Sequence, residues 1–149
     1  MEAQTIIAHL PYSYPFLFVD EVLSVDDDSI SGAYTFDKDL PFYEGHFKNQ
    51  PVTPGVILIE CMAQIGLVSL GIFMVSKQNL NVEDLQIAMT STAVDFFKPV
   101  LPGEKVRVKS KKVYFRFNKL KCQVEMYNGN EELVCRGTIA GMMKIKDEE

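Results

Sequence analysis

The chain has 149 residues, of which 47% are hydrophobic and 23% charged, as expected for one folded domain over residues 1–149 rather than a disordered chain. Its formal net charge of −5 argues against nucleic acid as the main partner. The three cysteines, Cys61, Cys122 and Cys135, lack CxxC spacing and predict neither disulfides nor a zinc site. Together with an N-terminus unlike a signal peptide, they favour a cytoplasmic protein with reduced thiols.

The N-terminal part of the chain predicts one short helix and two strands. The helix covers residues 2–9 and would end before Pro11 and Pro15. The strands cover residues 16–25 and 29–37, on either side of an acidic turn. A loop rich in proline and glycine then leads to the next element.

A long apolar helix is predicted to start at Pro54-Gly55, because proline has no amide for the first helical turn to leave unsatisfied. Residues 54–76 are long enough to cross a hydrocarbon layer of about 30 Å. However, Glu60, Gln64 and Ser69 interrupt this stretch, and no basic cluster flanks it. We therefore expect no membrane span, and instead a helix buried in the core of a soluble domain.

The C-terminal half predicts strands joined by turns. A strand over residues 87–97 follows a polar connection, and a turn lies at 101–103. Between residues 104 and 117 the apolar positions change from even to odd, which predicts a β-bulge near Lys111-Lys112. Asn128-Gly129 indicates a hairpin. The last strand has an apolar inner face made of Leu133, Cys135, Ile139, Met143 and Ile145. The pattern predicts an α+β domain in which five or six antiparallel strands wrap one long helix.

His46 and Glu60 are the candidate reactive pair. His46 lies in the loop before the helix, while Glu60 lies about a turn and a half into it, on the same face as Gln64. The amide of Gly55, in the first helical turn, is a candidate oxyanion donor. A base, an acid and an oxyanion donor suit proton removal next to a thioester carbonyl with loss of a β-hydroxyl. Taken singly, each residue also fits a structural role: a hydrogen-bonded loop histidine, an ion-paired glutamate and a helix-start glycine.

Four blocks of the chain resemble the FabZ-type β-hydroxyacyl-acyl-carrier-protein dehydratases. They are LPYSYPFLFVDEV (10–22), FYEGHF (42–47), PVTPGVILIECMAQ (51–64) and FFKPVLPGEKV (96–106). The resemblance extends over about residues 8–146. It implies the hot-dog fold, an antiparallel sheet wrapped around one long central helix.

The resemblance also implies roles for individual residues. His46 and Glu60 match the catalytic histidine and carboxylate, and Gln64 matches the glutamine that fixes the carboxylate. Gly55 matches the glycine whose amide polarises the thioester carbonyl. The full implied oxyanion and substrate-binding set is Gly55, Phe47, Pro54 and Gln64. In the family, the histidine and carboxylate that face each other come from different subunits, which implies a homodimer and leaves a trimer of dimers open.

The chain departs from the family pattern at four positions. Tyr12 and Ser13 stand where the family usually has histidine and arginine. Lys48 replaces the proline that usually follows the GHF block, and Thr53 replaces the methionine of PVMPG. We expect Lys48 to loosen the loop that aims His46, and Thr53 to alter the wall of the acyl tunnel. The acyl chain length is therefore left open.

The implied activity is dehydration of (3R)-3-hydroxyacyl thioesters on acyl carrier protein to trans-2-enoyl thioesters, without a metal or redox cofactor. Two alternatives remain. One is a hot-dog thioesterase, which usually lacks the GHF histidine. The other is a catalytically silent acyl-thioester-binding subunit, which the intact pair disfavours. The sequence leaves the pathway open among fatty acids, lipid A-type hydroxyacyl pools and polyene pigments.

Basic residues concentrate in one predicted hairpin, which contains Lys105, Arg107, Lys109, Lys111, Lys112, Arg116, Lys119 and Lys121. Acyl carrier proteins are acidic. We therefore expect Lys98, Lys109 and Lys111 to belong to a carrier-docking face. A charged sheet edge that discourages aggregation is the alternative interpretation.

Overall fold

The computed structural model describes residues 1–145. The helix predicted over residues 2–9 forms as α1, Ala3–Ile6, followed by a 3₁₀ turn at Ile7–His9. The central helix α2 spans Gly55–Lys77, starting where Pro54-Gly55 predicted, and includes a π-helical turn at Gln64–Val68.

Six strands form one antiparallel sheet in the described part of the chain. They are β1 Glu21–Val25, β2 Ser29–Thr35, β3 Leu85–Phe96, β4 Lys105–Arg116, β5 Lys119–Tyr127 and β6 Leu133–Ile145. Their order across the sheet is β1-β2-β4-β5-β6-β3, so β1 and β3 are the edge strands. The predicted α+β architecture, with strands around one long helix, is confirmed.

The sheet and the N-terminal segment bury α2 along most of its length. Every residue from Cys61 to Val75 is buried, whereas residues 55–60, apart from the buried Leu58, remain partly open and Val56 is 72% exposed. By length and composition α2 could cross a membrane, but 78% of its most apolar stretch is buried inside the fold. It is therefore the core helix, as predicted, and its N-terminal end leaves apolar surface open to other contacts.

Two serines satisfy carbonyl groups in the π-helical turn, where the usual helical hydrogen-bond register is lost. The Ser69 hydroxyl donates to the carbonyl of Gln64 (2.7 Å), and the Ser110 hydroxyl on β4 donates to that of Gly66 (2.8 Å). A Cβ atom at Gly66 would lie 2.9 Å from the Cβ of Ser110. Glycine there lets the helix approach β4 closely, two residues after Gln64.

The strand predicted over residues 16–25 is wrong in its first half, since β1 begins only at Glu21. The backbone before it is used differently. Gln64 donates from its side-chain nitrogen to the Phe16 carbonyl, and its side-chain oxygen accepts from the Phe18 amide. These backbone groups of Phe16 and Phe18 therefore bond to a helix side chain and not to a neighbouring strand. This contact ties the N-terminal segment to the candidate site.

The predicted β-bulge is confirmed, with the register shift between Lys112 and Tyr114. Of the odd-numbered apolar residues that indicated it, only Phe115 packs against the core. Val113 lies in the bulge and is 53% exposed, and Phe117 lies in the β4–β5 turn and is 90% exposed. The change in periodicity thus located the irregularity but not the direction of every side chain.

The turn predicted at Asn128-Gly129 joins β5 to β6 through residues 128–132. The side chain of Asn128 organises this loop by accepting from the amides of Asn130 and Glu132 (2.9 and 3.0 Å). The three cysteines are buried and free of disulfides. Burial raises the pKa of the Cys122 and Cys135 thiols, to about 11 and about 12, so these groups remain protonated at neutral pH.

Candidate active site

Glu60 lies on the partly open N-terminal part of α2, where Gln64 holds its carboxylate. The Gln64 side-chain nitrogen donates to Glu60 Oε2 at 2.9 Å and to the Phe16 carbonyl at 2.9 Å. The Gln64 oxygen accepts from the Phe18 amide at 2.8 Å. Because these three bonds engage both ends of the buried amide, its orientation is fixed. Gln64 therefore holds one oxygen of the carboxylate. The spacing predicted that the two side chains share a helix face, and the family resemblance implied the holding role.

Burial raises the pKa of Glu60, and the hydrogen bond from Gln64 offsets part of this increase. Glu60 consequently holds a proton more readily than an exposed glutamate. Tyr12, one of the four residues that depart from the family pattern, is influenced by the charge of Glu60. Burial, and secondarily the charge of Glu60, raises the pKa of Tyr12 to about 12, so this side chain is neutral at pH 7. This environment suits Glu60 to the role of proton donor.

His46 lies in a loop that follows the 3₁₀ turn Pro41–Glu44 and closes on itself. The Val52 amide donates to the His46 carbonyl (2.9 Å), and His46 Nδ1 lies 2.9 Å from the Val52 carbonyl oxygen. The peptide bond to Phe47 is cis, and the rings of His46 and Phe47 stack with their centroids 4.0 Å apart. The loop thus holds both the backbone and the ring of His46.

The contact with Val52 also decides the tautomer of the His46 ring. A carbonyl oxygen can only accept a hydrogen bond, so Nδ1 must carry the proton in this contact. In the neutral ring Nε2 is then unprotonated and is the atom available to accept a proton. His46 is therefore arranged as a base through Nε2.

Gly55 is the first residue of α2, and no earlier helical carbonyl can accept its amide proton. A cavity of about 350 Å³ lies beside it, lined also by Thr53, Leu58, Phe96 and Phe97. A Cβ atom on Gly55 would lie 3.2 Å from the ring of Phe96, so the passage next to this amide is narrow. A carbonyl group entering the cavity would meet a free N–H at the positive end of the helix dipole.

Within one chain the structure does not pair His46 with Glu60. Within residues 1–145, no hydrogen bond or ion pair joins their side chains. The same part of the chain contains no cluster of three or more metal-ligating side chains. In the described part of the chain, the candidate base and the candidate acid are therefore each oriented by other groups and are not hydrogen-bonded to each other.

The three lysines predicted to dock a carrier lie in two separate places. Lys98 lines the cavity next to Gly55 and forms an ion pair with Glu132 (3.0 Å). Lys109 and Lys111 line a different depression, of about 450 Å³, on the outer face of the sheet. The cavity next to Gly55 lies at the end of β3. Because β5 and β6 stand between β3 and β4, the depression on β4 lies about 14 Å from β3 across the sheet.

Acidic residues from other elements neutralise part of the basic hairpin. Ion pairs join Lys105 to Glu21 (3.2 Å) and Lys112 to Asp28 (3.4 Å), and Arg107 pairs with Glu131. These partners lie in β1 and in turns, so the local sequence did not reveal them. The hairpin is therefore less positive than its own residues indicate.

Sequence reasoning missed the groups that orient the candidate residues. The Val52 carbonyl orients His46, and the Phe16 carbonyl and Phe18 amide orient Gln64. Backbone groups have no side-chain signature, so no signal in the sequence could identify them. Leu58 and Phe97 line the cavity, but in the sequence they could be recognised only as apolar residues.

The fold defines a class of protein, the hot-dog-fold enzymes, and His46 and the helix carboxylate of Glu60 are the candidate reactive groups of this chain. The model of the FabA-like domain family matches residues 10–140. A 3-hydroxyacyl-[acyl-carrier-protein] dehydratase FabZ of Sinorhizobium fredii is 34% identical, over 99% of this chain and 92% of that protein. The FabZ of Brucella melitensis biotype 2 is 30% identical, over 99% and 91%. The chain belongs to the FabA-like family and, within it, to the FabZ-type dehydratases.

Solved structures agree on the fold. A chain of the dehydratase heterocomplex ApeI:P from Xenorhabdus doucetiae superposes with a TM-score of 0.79 at 14% identity, over 96% of this chain and 93% of that one. A thioesterase from Haemophilus influenzae superposes with a TM-score of 0.61 at 17% identity, over 87% and 80%. At these identities the likeness shows the fold alone, and the fold houses both dehydratases and thioesterases.

Proposed function

We propose that this protein removes water from (3R)-3-hydroxyacyl thioesters carried on acyl carrier protein and releases trans-2-enoyl thioesters. The observation that supports it most is the carboxyl group of Glu60, which Gln64 orients at the helix end that also carries the Gly55 amide, and which burial helps to keep protonated until the departing oxygen takes the proton. We further propose that the reaction takes place in the cytoplasm and uses no metal or redox cofactor, because both proton transfers have a side chain available.

The proposed chemistry is a balanced elimination. Nε2 of His46 takes the proton from the α-carbon, and the electrons of that C–H bond form the new Cα=Cβ double bond. The Cβ–O bond breaks as Glu60 gives its proton to the departing oxygen, which leaves as water. The Gly55 amide donates to the thioester oxygen as negative charge builds up there. The proton on His46 then returns to Glu60 before the next turnover.

The site is proposed to form between two copies of the chain. β3 is a twelve-residue edge strand without proline, and Asp95 is its one charged residue. A long, nearly uncharged edge of this kind is a ready surface for pairing with another strand. Next to it, Val56 and the aromatic residues Phe47, Phe96 and Phe97 are each at least 47% exposed. A two-fold partner would cover both features and bring His46 of one chain to Glu60 of the other.

A trimer of such dimers remains a further proposal. A homodimer is sufficient to complete the two sites, so the mechanism does not require the larger assembly. Mass measurement in solution distinguishes a dimer from a hexamer.

Carrier docking is proposed at the three lysines, with Lys98 as the primary contact because it lines the cavity next to Gly55. Reversing Lys98 to glutamate should raise the KM for the carrier-bound substrate roughly 2–10-fold, the effect of losing one or two exposed charge pairs. The double reversal of Lys109 and Lys111 should raise it less. A small pantetheine thioester should be turned over normally by all these variants, and added salt should weaken only the carrier reaction.

Lys119→Glu is the matched control. Lys119 on β5 pairs with Met142 on β6, which pairs with Ala88 on β3, so it lies level with the end of β3 opposite Phe96. An equal rise in KM for carrier-bound and pantetheine substrates would contradict docking at these lysines. So would an equal effect of the Lys119 reversal.

The activity itself is tested by incubating the protein with 3-hydroxybutyryl and crotonyl thioesters. A dehydratase should interconvert the two, with the absorbance of the conjugated enoyl group rising or falling accordingly. Release of free thiol would instead identify a thioesterase. Binding without any change in either substrate would identify a silent acyl-thioester-binding subunit.

A further inference from the structure

A buried hydroxyl pair closes the loop that carries His46. The hydroxyl of Tyr43 lies 2.5 Å from Oγ1 of Thr53, and the two residues are only 6% and 5% exposed. Either hydroxyl can donate to the other. Tyr43 precedes His46 by three residues and Thr53 ends the loop, so their bond joins its two ends.

Inside this pair the loop is a short series of hydrogen bonds. His46 and Val52 are joined by two contacts, one through the backbone and one through the ring. Further out, Phe47 and Gln50 exchange two backbone hydrogen bonds (3.0 and 3.1 Å). Lys48 is exposed at the tip, where the family usually has a proline. The loop therefore gains its order from these cross-links rather than from a proline at its tip.

Thr53 connects the loop to the rest of the fold. Its amide donates to the Val100 carbonyl (2.9 Å), and its side chain is held by Tyr43. Val52, whose carbonyl fixes the His46 tautomer, is the preceding residue. Any shift of Thr53 would move that carbonyl and, with it, the direction in which His46 Nε2 points.

We infer that Tyr43 and Thr53 are positioning residues whose hydroxyl–hydroxyl bond aims His46 at the substrate. The inference rests on the proposed role of His46 as base. Neither residue is assigned a proton transfer. Since Thr53 also lines the cavity beside Gly55 whereas Tyr43 does not, Tyr43 separates the aiming effect from any effect on the cavity wall.

The test removes each hydroxyl with little change of shape, in Tyr43→Phe, Thr53→Val and the double variant. Each single variant should lower kcat about tenfold, because small misplacements of a reacting group have large effects on rate. KM for a short pantetheine thioester should be unchanged in Tyr43→Phe. The double variant should be no slower than the slower single variant, because both changes remove the same bond. Thr53→Ser keeps a hydroxyl and should restore kcat.

A second measurement does not depend on activity. His9 and His46 are the only histidines in the chain, so ring nitrogen NMR of a His9→Gln protein reports on His46 alone. The Nδ1-protonated tautomer should predominate in that background and give way to a mixture when Tyr43→Phe is added. Tyr114→Phe, which removes a tyrosine hydroxyl at the far end of β4, is the control and should leave both readouts unchanged.

Unchanged kcat and an unchanged His46 spectrum in Tyr43→Phe would overturn the inference. So would a kcat in the double variant that is lowered by the product of the two single-variant factors. These outcomes differ from a failure of the proposed function, in which His46→Ala would itself remain active. Circular dichroism of each variant identifies any loss of the fold.

Discussion

Replacing His46 by alanine or Glu60 by glutamine is expected to lower the kcat for dehydration about 10²–10⁴-fold, the usual effect of removing a positioned base or acid. His46→Ala removes the Nε2 atom that accepts the α-proton. Glu60→Gln keeps the size of the side chain and an oxygen that can accept from Gln64, but has no acidic proton to give to the departing hydroxyl. The assay follows the enoyl absorbance under saturating substrate.

Two matched variants control for the change of residue type. His9→Gln alters the other histidine, which lies in the 3₁₀ turn after α1, and Glu83→Gln alters an exposed acid before β3. Both should turn over substrate at the wild-type rate. Near-normal turnover in either His46→Ala or Glu60→Gln, by folded protein, would remove that residue from the proposed mechanism.

The second large effect is recovery of activity from two inactive parents. If each site combines His46 of one chain with Glu60 of the other, mixing a His46→Ala chain with a Glu60→Ala chain gives a mixed dimer with one intact and one doubly damaged site. Random exchange makes about half of the dimers mixed, so roughly a quarter of wild-type activity should return. The structural basis for this expectation is that no hydrogen bond or ion pair joins the two side chains within residues 1–145 of one chain.

The reverse mixture makes the test sharper. A chain that carries both substitutions should inactivate the wild-type chain in a mixed dimer, because each site of this dimer contains one substituted residue. With equal amounts of the two chains, random exchange should reduce the wild-type activity by about half. If both residues of a site came from one chain, the first mixture would stay inactive and the second would lose nothing. Either result, with subunit exchange shown by tag pull-down, would contradict the shared site.

Local signals in the sequence were reliable where neighbouring residues decide the structure. The start of α2 at Pro54-Gly55 follows from proline's missing amide, and the bulge near Lys112 follows from a change of period within one strand. The placement of Gln64 next to Glu60 follows from helical spacing alone. Each of these features depends on residues a few positions apart, which the sequence displays directly.

Interactions between distant segments were decided by the tertiary structure. Phe16 and Phe18 leave the predicted strand because Gln64, more than forty residues later, takes their backbone groups. The basic hairpin is partly neutralised by Glu21 and Asp28, which reach it because β2 pairs with β4 and β1 pairs with the other edge of β2. Lys98 and Lys109 were grouped by charge, yet two intervening strands separate β3 from β4.

The sequence by itself therefore determined the family, the central helix and the identity of the candidate base and acid, because those depend on residue type and on short spacing. Only the tertiary structure decided how these groups are oriented, buried and hydrogen-bonded. It placed His46 Nδ1 against the Val52 carbonyl, buried Glu60 so that its pKa rises, and brought the Tyr43 hydroxyl to that of Thr53 across the loop. The physical reason is that tautomer, desolvation and hydroxyl pairing depend on atoms brought together by folding, which the order of residues along the chain does not specify.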